Sequence, residues 1–202
     1  MDLILVRHGQ TDSNLNMKYC GQTDIELNQA GAAQVTEAAQ KLYERLDGKI
    51  DSIYTSPLKR ASVSAEIIAA KFNYPASDII TAGEIIEANF GIFEDMSFSE
   101  IRQKYPKEYQ MWRDGSEDFV IENGESGQMV YDRASRFFKE FINNHNDGTH
   151  IFVMHMAVMS HAVSSMLELG IKAMWRFRVD NAHAAIVRVN NEKFCYLTAL
   201  NV

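Results

Sequence analysis

The sequence predicts an α/β fold, a three-layer α/β/α sandwich in which a mostly parallel sheet carries helices on both faces. Short apolar runs typical of strands alternate with helical segments along the chain. Two further strand-like runs close the sequence, and no linker or internal repeat divides the 202 residues. We therefore expect a single domain over residues 1–202.

The first half of the chain contains two strand and helix pairs. The run LILV at 3–6 is typical of a buried strand, and a helix with Asn28 as its predicted N-cap follows. Its apolar residues recur at spacings of three and four: Ala32, Val35, Ala39, Leu42 and Leu46. Residues 51–56 (DSIYTS) predict the second strand, after which Ser56 and Pro57 are the predicted N-cap and first residue of a helix.

The second half begins with an irregular segment. Residues 83–123 are rich in aromatic residues, glycine and charge, and we expect them to form a lid-like insertion with short helices. Residues 126–143 predict a helix, residues 150–155 (HIFVMH) predict a strand, and a further helix should extend to about Leu169. The runs HAAIVRVN and KFCYLTAL then predict two strands that flank a hairpin turn at 190–191.

Composition excludes several classes of partner. The chain has 20 Lys and Arg against 27 Asp and Glu, a net charge of −7, whereas a nucleic-acid surface would need a basic stripe. No apolar run of about 18 residues predicts a membrane span. The N-terminus reaches Asp2 and Arg7 too early for a signal peptide. We therefore expect a cytoplasmic protein with no nucleic-acid or membrane partner.

Three predicted strand ends carry side chains with chemical function. The first strand continues into Arg7 and His8, the second is followed by Arg60 in the first turn of a helix, and the third ends at His155. Ligands of such sheets bind beyond the carboxyl ends of the strands, so we expect these residues to share one pocket. Each alone has a structural explanation, such as a core histidine or a surface cation. Together they favour an anion with several oxygens, and phosphate is the predicted ligand.

Further motifs accompany these residues in a fixed order along the chain. They are LVRHGQT, Asn14, GQTDIELNQAG, TSPLKRAS with Arg60, EANFGIFED with Glu87, NGES at 123–126, and the strand that ends at His155. In this order they resemble the histidine phosphatase superfamily, in its phosphoglycerate-mutase-like branch. The resemblance covers essentially the whole chain and implies a phosphoglycerate mutase-like fold.

The resemblance implies a role for each site residue. His8 would be the nucleophile that forms a phosphohistidine. Arg7, Arg60 and His155 would bind the phosphoryl oxygens, and Asn14 would add a neutral donor. Because these groups fill the electrophilic role, the resemblance implies neither a metal nor another cofactor. The sequence also disfavours zinc, since it has no HxxxH spacing.

Glu87 is the predicted general acid, which would protonate the leaving alkoxide and then activate water. It stands four residues before Gly91, the spacing that the resemblance implies, whereas Glu84 and Glu94 lie outside that register. Glu84 remains the alternative acid.

The resemblance implies that the substrate is a small-molecule phosphate ester and that the reaction is hydrolysis. At 202 residues the chain lacks the added segments of the cofactor-dependent phosphoglycerate mutases. Within the phosphatases, AMWRFRVD at 173–180 and HMAVMS after the third strand resemble enzymes that act on α-ribazole 5′-phosphate. The expected reaction therefore releases α-ribazole and phosphate during assembly of the cobalamin nucleotide loop.

Other substrates and one other function remain open. A flat base would stack on four aromatic residues of the insertion, unless these rings only pack within it: Phe90, Phe93, Tyr109 and Trp112. A small carboxylate would instead use four cations of the insertion: Arg102, Lys104, Lys107 and Arg113. The alternatives are a broad-specificity sugar-phosphate phosphatase or a phosphoglycerate mutase-like enzyme. A non-catalytic phosphate-binding protein would be expected to lack a catalytic group, and all of them are present.

Overall fold

The computed structural model describes residues 1–115 and 117–202. Its first half contains β1 (Asp2–Arg7), α1 (Asp12–Leu15), β2 (Lys18–Tyr19), α2 (Gln29–Arg45), β3 (Ser52–Thr55), α3 (Lys59–Lys71) and β4 (Ile80–Thr81). Its second half contains β5 (Met96–Ser97), α4 (Phe98–Lys104), α5 (Pro106–Asp114), α6 (Gly127–Asn144), β6 (Thr149–Met154), α7 (Met156–Met166), β7 (Ala184–Val189) and β8 (Cys195–Leu200). Within these described residues, no helix combines the length and apolar character needed to cross a membrane.

The central sheet has six strands in the order β4-β3-β6-β1-β7-β8. The strands β4, β3, β6 and β1 are parallel, whereas β7 pairs antiparallel with β1, and β8 pairs antiparallel with β7. In this register Arg7 lies opposite Met154, and Thr55 lies opposite Val153. The mostly parallel sheet is confirmed, and the carboxyl ends of β3, β6 and β1 lie side by side.

Alternate residues of β1 face two different helix layers. Leu3 and Leu5 belong to a core shared with α6 and α7, and Ile4 and Val6 belong to a core shared with α2 and α3. All four side chains are completely buried. Both faces of the strand are therefore covered, which explains its uninterrupted apolar run. The predicted arrangement of helices on both faces is confirmed.

Helix α3 begins later than the sequence predicts. Its N-cap is Leu58 and its first residue is Lys59, so the assignment of these positions to Ser56 and Pro57 is wrong. The buried Ser56 hydroxyl lies 2.7 Å from His155 Nε2 instead. Ser56 therefore joins two strand ends.

The other boundaries agree more closely with prediction. Asn28 caps α2, because its Oδ1 accepts a hydrogen bond from the Gly31 N–H at 2.8 Å. Helix α7 ends about one turn before Leu169. The β7–β8 hairpin turns at 190–193, where the Lys193 N–H donates to the Asn190 carbonyl at 3.0 Å.

Residues 83–123 form an irregular excursion from the main sheet. They contain two 3-10 helices, β5, α4 and α5, and β5 pairs antiparallel with β2. The excursion has a small core of its own, formed by Phe93, Ile101, Tyr109 and Ile121. Its action as a lid stays a prediction.

Candidate active site

Three neighbouring strand ends bring two histidines together at one edge of the sheet. His8 follows β1, Ser56 follows β3 and His155 follows β6. The His8 N–H donates to the Met154 carbonyl at 3.0 Å, and the Ser56 N–H donates to the Val153 carbonyl at 3.0 Å. The ring centroids of His8 and His155 are 5.0 Å apart. The predicted convergence of the strand ends is therefore observed.

A cavity of about 470 Å³ opens at this edge of the sheet. Five of the six predicted site residues border it: Arg7, His8, Asn14, Arg60 and Glu87. His155 does not border the cavity, since its side chain is completely buried against the ring of His8.

The His8 ring is oriented by its own backbone. Its Nδ1 lies 2.7 Å from the Gly9 carbonyl oxygen. Because a carbonyl oxygen only accepts hydrogen bonds, we assign the ring hydrogen to Nδ1, which leaves the lone pair of a neutral ring on Nε2. Burial, and then the charges of Arg60 and Arg7, lower the pKa of His8 well below its usual 6.5. The ring is therefore an uncharged nucleophile near neutral pH.

Arg60 is held by the loop between β2 and α2. Its side chain is 1% exposed, and its Nη1 and Nη2 donate to the carbonyls of Thr23 at 2.8 Å and Gly21 at 2.5 Å. Glu94 fixes this loop, because its Oε1 accepts from the Gln22 N–H at 2.8 Å. From the sequence alone, Glu94 is notable only because it lies outside the spacing expected of the general acid. In the structure it supports the loop that holds Arg60.

Arg7 is partly buried and His155 is completely buried. Within the described residues, neither forms an ion pair with a carboxylate. Arg7 Nη1 donates to the Val179 carbonyl at 2.9 Å, and burial lowers the pKa of Arg7 while the charge of Glu87 opposes this. Burial, followed by the proximity of His8, lowers the pKa of His155 well below 6.5. His155 Nδ1 and the Nε atoms of both site arginines have no hydrogen-bond partner among the described residues. An oxyanion here would supply acceptors and opposite charge.

Glu87 lies at the start of α7 and caps it. Its Oε1 accepts from the N–H groups of Ala88 at 2.9 Å and Val158 at 3.1 Å, and its Oε2 accepts from the Ala157 N–H at 3.2 Å. The first N–H groups of a helix lack acceptors within the helix, and the N-cap residue His155 supplies no side-chain cap. The carboxylate is thereby fixed in the cavity wall.

The alternative acid, Glu84, lies elsewhere. Its side chain is exposed and does not border the cavity. Only its backbone carbonyl makes a notable contact, accepting from Arg133 Nη1 at 2.7 Å. Of the two carboxylates considered for the role of general acid, only Glu87 therefore borders the cavity.

Asn14 borders the cavity, and its amide oxygen is already bonded within the protein. Its Oδ1 accepts from the Thr11 N–H at 3.1 Å and from Asn181 Nδ2 at 3.0 Å, which assigns the oxygen and leaves the NH₂ group as a donor. Asn181 Nδ2 also donates to the His8 carbonyl at 3.1 Å. The sequence did not indicate Asn181, because its partners lie more than 160 residues away along the chain.

The part of the cavity beyond the arginines is apolar and rich in aromatic rings. It is bordered by Phe90, Trp112, Met174, Trp175 and Phe177. The predicted aromatic wall is thus half correct. Phe93 and Tyr109 do not border the cavity, because they pack in the core of the excursion.

The cations of the cavity also differ from prediction. None of the four proposed cations of the excursion, all of which are described, borders it: Arg102, Lys104, Lys107 and Arg113. Lys18 and Arg178 border it instead, and each lies within ion-pair distance of an aspartate, Asp95 at 3.2 Å and Asp180 at 3.4 Å. The alternative in which these four residues supply cations to a carboxylate substrate is therefore wrong for this cavity.

His161 is a cavity residue that sequence reasoning missed. Its side chain is 2% exposed, and its Nδ1 has no hydrogen-bond partner in the described part of the chain. Burial lowers the pKa of His161 to about 4, so the ring is uncharged near neutral pH. The signal was present in the helical period, because His161 follows Ala157 by four residues and shares its face of α7.

Comparison with known proteins agrees with this geometry. The family model of the histidine phosphatase superfamily (branch 1) matches residues 3–202. Phosphoserine phosphatase 1 of Hydrogenobacter thermophilus is 30% identical over 191 residues, which are 95% of this chain and 88% of that protein. Adenosylcobalamin/alpha-ribazole phosphatase of Escherichia coli is 29% identical over 202 residues, which are 100% of this chain and 96% of that protein.

A solved structure extends the likeness to the fold. The alpha-ribazole phosphatase of Shigella flexneri matches with a TM-score of 0.90 and 26% identity, covering 100% of this chain and 96% of that one. This chain is therefore a phosphatase that belongs to branch 1 of the histidine phosphatase superfamily.

Proposed function

We propose that the chain hydrolyses a phosphate monoester through a phosphohistidine at His8. The observation that carries this proposal is the hydrogen bond from His8 Nδ1 to the Gly9 carbonyl. It leaves the Nε2 lone pair of a neutral ring beside a cavity that Arg7 and Arg60 also border. An uncharged nucleophile beside two fixed cations is suited to attack on an anionic phosphoryl group.

The reaction has two steps. In the first, His8 Nε2 forms a bond to phosphorus, the ester P–O bond breaks, and the leaving oxygen takes the proton of Glu87. In the second, the Glu87 carboxylate takes a proton from water as the water oxygen attacks phosphorus. The P–N bond then breaks, which releases phosphate and restores the neutral imidazole.

The remaining site residues stabilise the transferring group. Arg7 and Arg60 bind its equatorial oxygens, and most of the catalysis of phosphoryl transfer comes from such charge stabilisation and positioning. Asn14 donates from its free NH₂ group. The Ser56 hydroxyl lies 2.7 Å from His155 Nε2. If this hydroxyl is the donor, the ring hydrogen of His155 lies on Nδ1, the atom that has no partner among the described residues.

The proposed substrate is α-ribazole 5′-phosphate, which places the protein in cobalamin synthesis. Support comes from the relatives named above and from the cavity. Its volume of about 470 Å³ lies within the range of roughly 300–1,000 Å³ of small-molecule sites. Trp112 and Trp175 border its apolar part, and Trp175 is 65% exposed, so its ring face is free to stack on a flat base.

Phosphoserine is the second candidate substrate. A relative of similar identity is a phosphoserine phosphatase. Lys18 and Arg178 border the cavity and would offer cations to a carboxylate. Each lies near an aspartate, but these ion pairs are solvent-exposed and such pairs are weak, so both cations could turn to a substrate carboxylate.

The test is a comparison of kcat/KM for α-ribazole 5′-phosphate, phosphoserine, 3-phosphoglycerate and a simple sugar phosphate. We expect the ribazole ester to give the highest value. A higher value for phosphoserine would select the second candidate, and equal values throughout would indicate a broad-specificity phosphatase.

Variants of the cavity wall separate the two candidates. Trp175→Ala should lower kcat/KM for α-ribazole 5′-phosphate by roughly 2- to 10-fold, the equivalent of one aromatic contact of about 0.5–1.5 kcal/mol, and spare phosphoserine. Phe194→Ala is the matched control, since Phe194 is also exposed but lies in the β7–β8 hairpin. Equal effects of Trp175→Ala on both substrates would contradict stacking.

A further inference from the structure

Arg133 of α6 forms hydrogen bonds to the backbone of the segment that carries Glu87. Its Nη1 donates to the carbonyls of Glu84 and Ile86, both at 2.7 Å, and its Nη2 donates to the carbonyl of Glu87 at 3.0 Å. Its Nε and Nη2 donate to the two carboxylate oxygens of Glu125 at 3.0 and 3.2 Å. All five guanidinium hydrogens are therefore used, and three of them bond to backbone carbonyls within residues 84–87.

Further hydrogen bonds hold the backbone on the C-terminal side of Glu87. Glu125 Oε2 accepts from the Asn89 N–H at 2.9 Å, and the Glu125 N–H donates to the Asn89 carbonyl at 2.8 Å. Gln22 Nε2 adds a second donor to the Glu87 carbonyl at 3.0 Å. The Arg133 and Glu125 side chains are only 17% and 15% exposed. The backbone is thus fixed both before and after the acid.

We infer that Arg133 is a positioning residue for leaving-group protonation by Glu87. The inference rests on the proposed role of Glu87 as the general acid. Arg133 does not border the cavity, so it acts through the backbone of the segment and not on the substrate. A displacement of about 1 Å of a reacting group can cost about 100-fold in rate, so loss of three carbonyl contacts should impair proton transfer.

A series of phosphate esters that differ in their leaving group reads out this role. An alkyl phosphate needs its leaving oxygen protonated, whereas p-nitrophenolate leaves readily without a proton. The ratio kcat/KM reports the steps up to cleavage of the P–O bond and excludes the later attack of water. We expect Arg133→Met to lower kcat/KM for an alkyl phosphate at least 10-fold more than for p-nitrophenyl phosphate.

Two further variants make the result specific. Arg133→Lys keeps the charge but not the five-hydrogen fork, so it should show the same bias to a smaller extent and provides the measurement if Arg133→Met does not fold. Arg136→Met is the matched control, because Arg136 is an exposed arginine one turn along α6 and should leave both rates unchanged.

Glu87→Gln separates this inference from the proposed function. It should show the largest bias against alkyl phosphates. If Glu87→Gln shows no bias, the role of Glu87 as the acid is wrong. If Glu87→Gln shows the bias but the Arg133 variants lower both rates equally, or lower neither, then Arg133 does not position the acid.

Discussion

The reactivity of His8 depends on the surroundings of a single ring. The Gly9 carbonyl fixes the hydrogen on Nδ1, and burial together with Arg60 and Arg7 keeps the ring uncharged. Bound phosphate would offset the two arginine charges. The same cations that bind the substrate therefore keep the nucleophile unprotonated before it arrives.

This balance predicts the titration of His8 in the phosphate-free protein. Its pKa should lie well below 6.5, and Arg60→Met should raise it, because removal of a nearby positive charge favours the protonated ring. Ring-nitrogen NMR across a pH series measures both values. A His8 that titrates at 6.5 or above, or a pKa that falls in the variant, would contradict this account.

Arg60 should be required for turnover. Arg60→Ala should lower kcat by about 100-fold or more, as loss of other preorganised charge-stabilising donors does. Steady-state assays with p-nitrophenyl phosphate measure this. Lys59→Ala is the control: Lys59 is exposed and lies 3.7 Å from Glu26, so its loss should change kcat little. A loss in Arg60→Ala no greater than in Lys59→Ala would contradict the assignment.

Sequence reasoning found the residues that follow strands, because a strand end places the next side chain at a known edge of the sheet. His8 and His155 are of this kind, and Arg7 is the last residue of its strand. It missed residues that support the site through distant backbone groups. Arg133, for example, donates to carbonyls 46 to 49 residues away along the chain, and only the folded structure brings them together.

At the scale of elements, the loop after β1 is fixed by close approach to α2. A Cβ added to Gly31 would overlap the Gln10 carbonyl oxygen and lie 2.7 Å from the Gln10 nitrogen. A Cβ added to Gly9 would meet the Val35 side chain at 2.8 Å. The two glycines let the loop that carries His8 rest directly on the helix.

Gly31→Ala should therefore destabilise the protein although alanine is the better helix former. The gain in helix propensity is at most about 1 kcal/mol, whereas forcing the Gln10 backbone aside costs about 1–3 kcal/mol. Urea unfolding should show a net loss, and kcat should fall as the His8 loop moves. Gly83→Ala, which meets no atom within 4 Å, is the control. A Gly31→Ala protein of equal or greater stability would contradict this packing.

Elements with a regular apolar period were predicted well, and α2 begins at its predicted cap. The start of α3 was predicted wrongly, because Ser56 and Pro57 are a common sequence for a helix N-cap and first residue. Nothing in the local sequence shows that the Ser56 hydroxyl contacts His155 instead. The excursion at 83–123 was predicted only in outline. Its 3-10 helices and two-stranded ladder have too few residues to show a period.

For the protein as a whole, the buried histidines of the active site lower the free energy of unfolding in acid. His8, His155 and His161 are buried, and burial is the main reason that each has a lowered pKa. The unfolded chain regains the ordinary pKa of about 6.5 and so binds more protons below that pH. Unfolding is therefore favoured progressively as the pH falls below 6.5.

His161 allows this effect to be measured apart from catalysis. With a folded pKa of about 4, it should cost about 2 kcal/mol of unfolding free energy at pH 5 and almost nothing at pH 7. Urea unfolding in phosphate-free buffer measures the free energy of unfolding at both pH values. From pH 7 to pH 5 this free energy should fall more for the wild-type protein than for His161→Leu. An equal loss in both proteins would show that His161 takes up no proton on unfolding.

The sheet order could not be derived from the sequence. Strand β6 lies between β3 and β1, so residues near 150 separate two strands from the first 55 residues of the chain. Alternation of strands and helices predicts a parallel sheet but is compatible with several orders. The predicted meeting of three strand ends is correct in this order because β6 pairs directly with both β3 and β1.

If His8 carries the phosphoryl group during turnover, chemical trapping should recover that group on its ring. Protein mixed with labelled substrate is quenched in alkali or in acid and then mapped by mass spectrometry. A phosphoramidate survives alkali and hydrolyses in acid, so wild-type protein should retain label on His8 only after the alkaline quench, and His8→Ala should retain none. Label that survives acid, or that His8→Ala retains, would contradict the account.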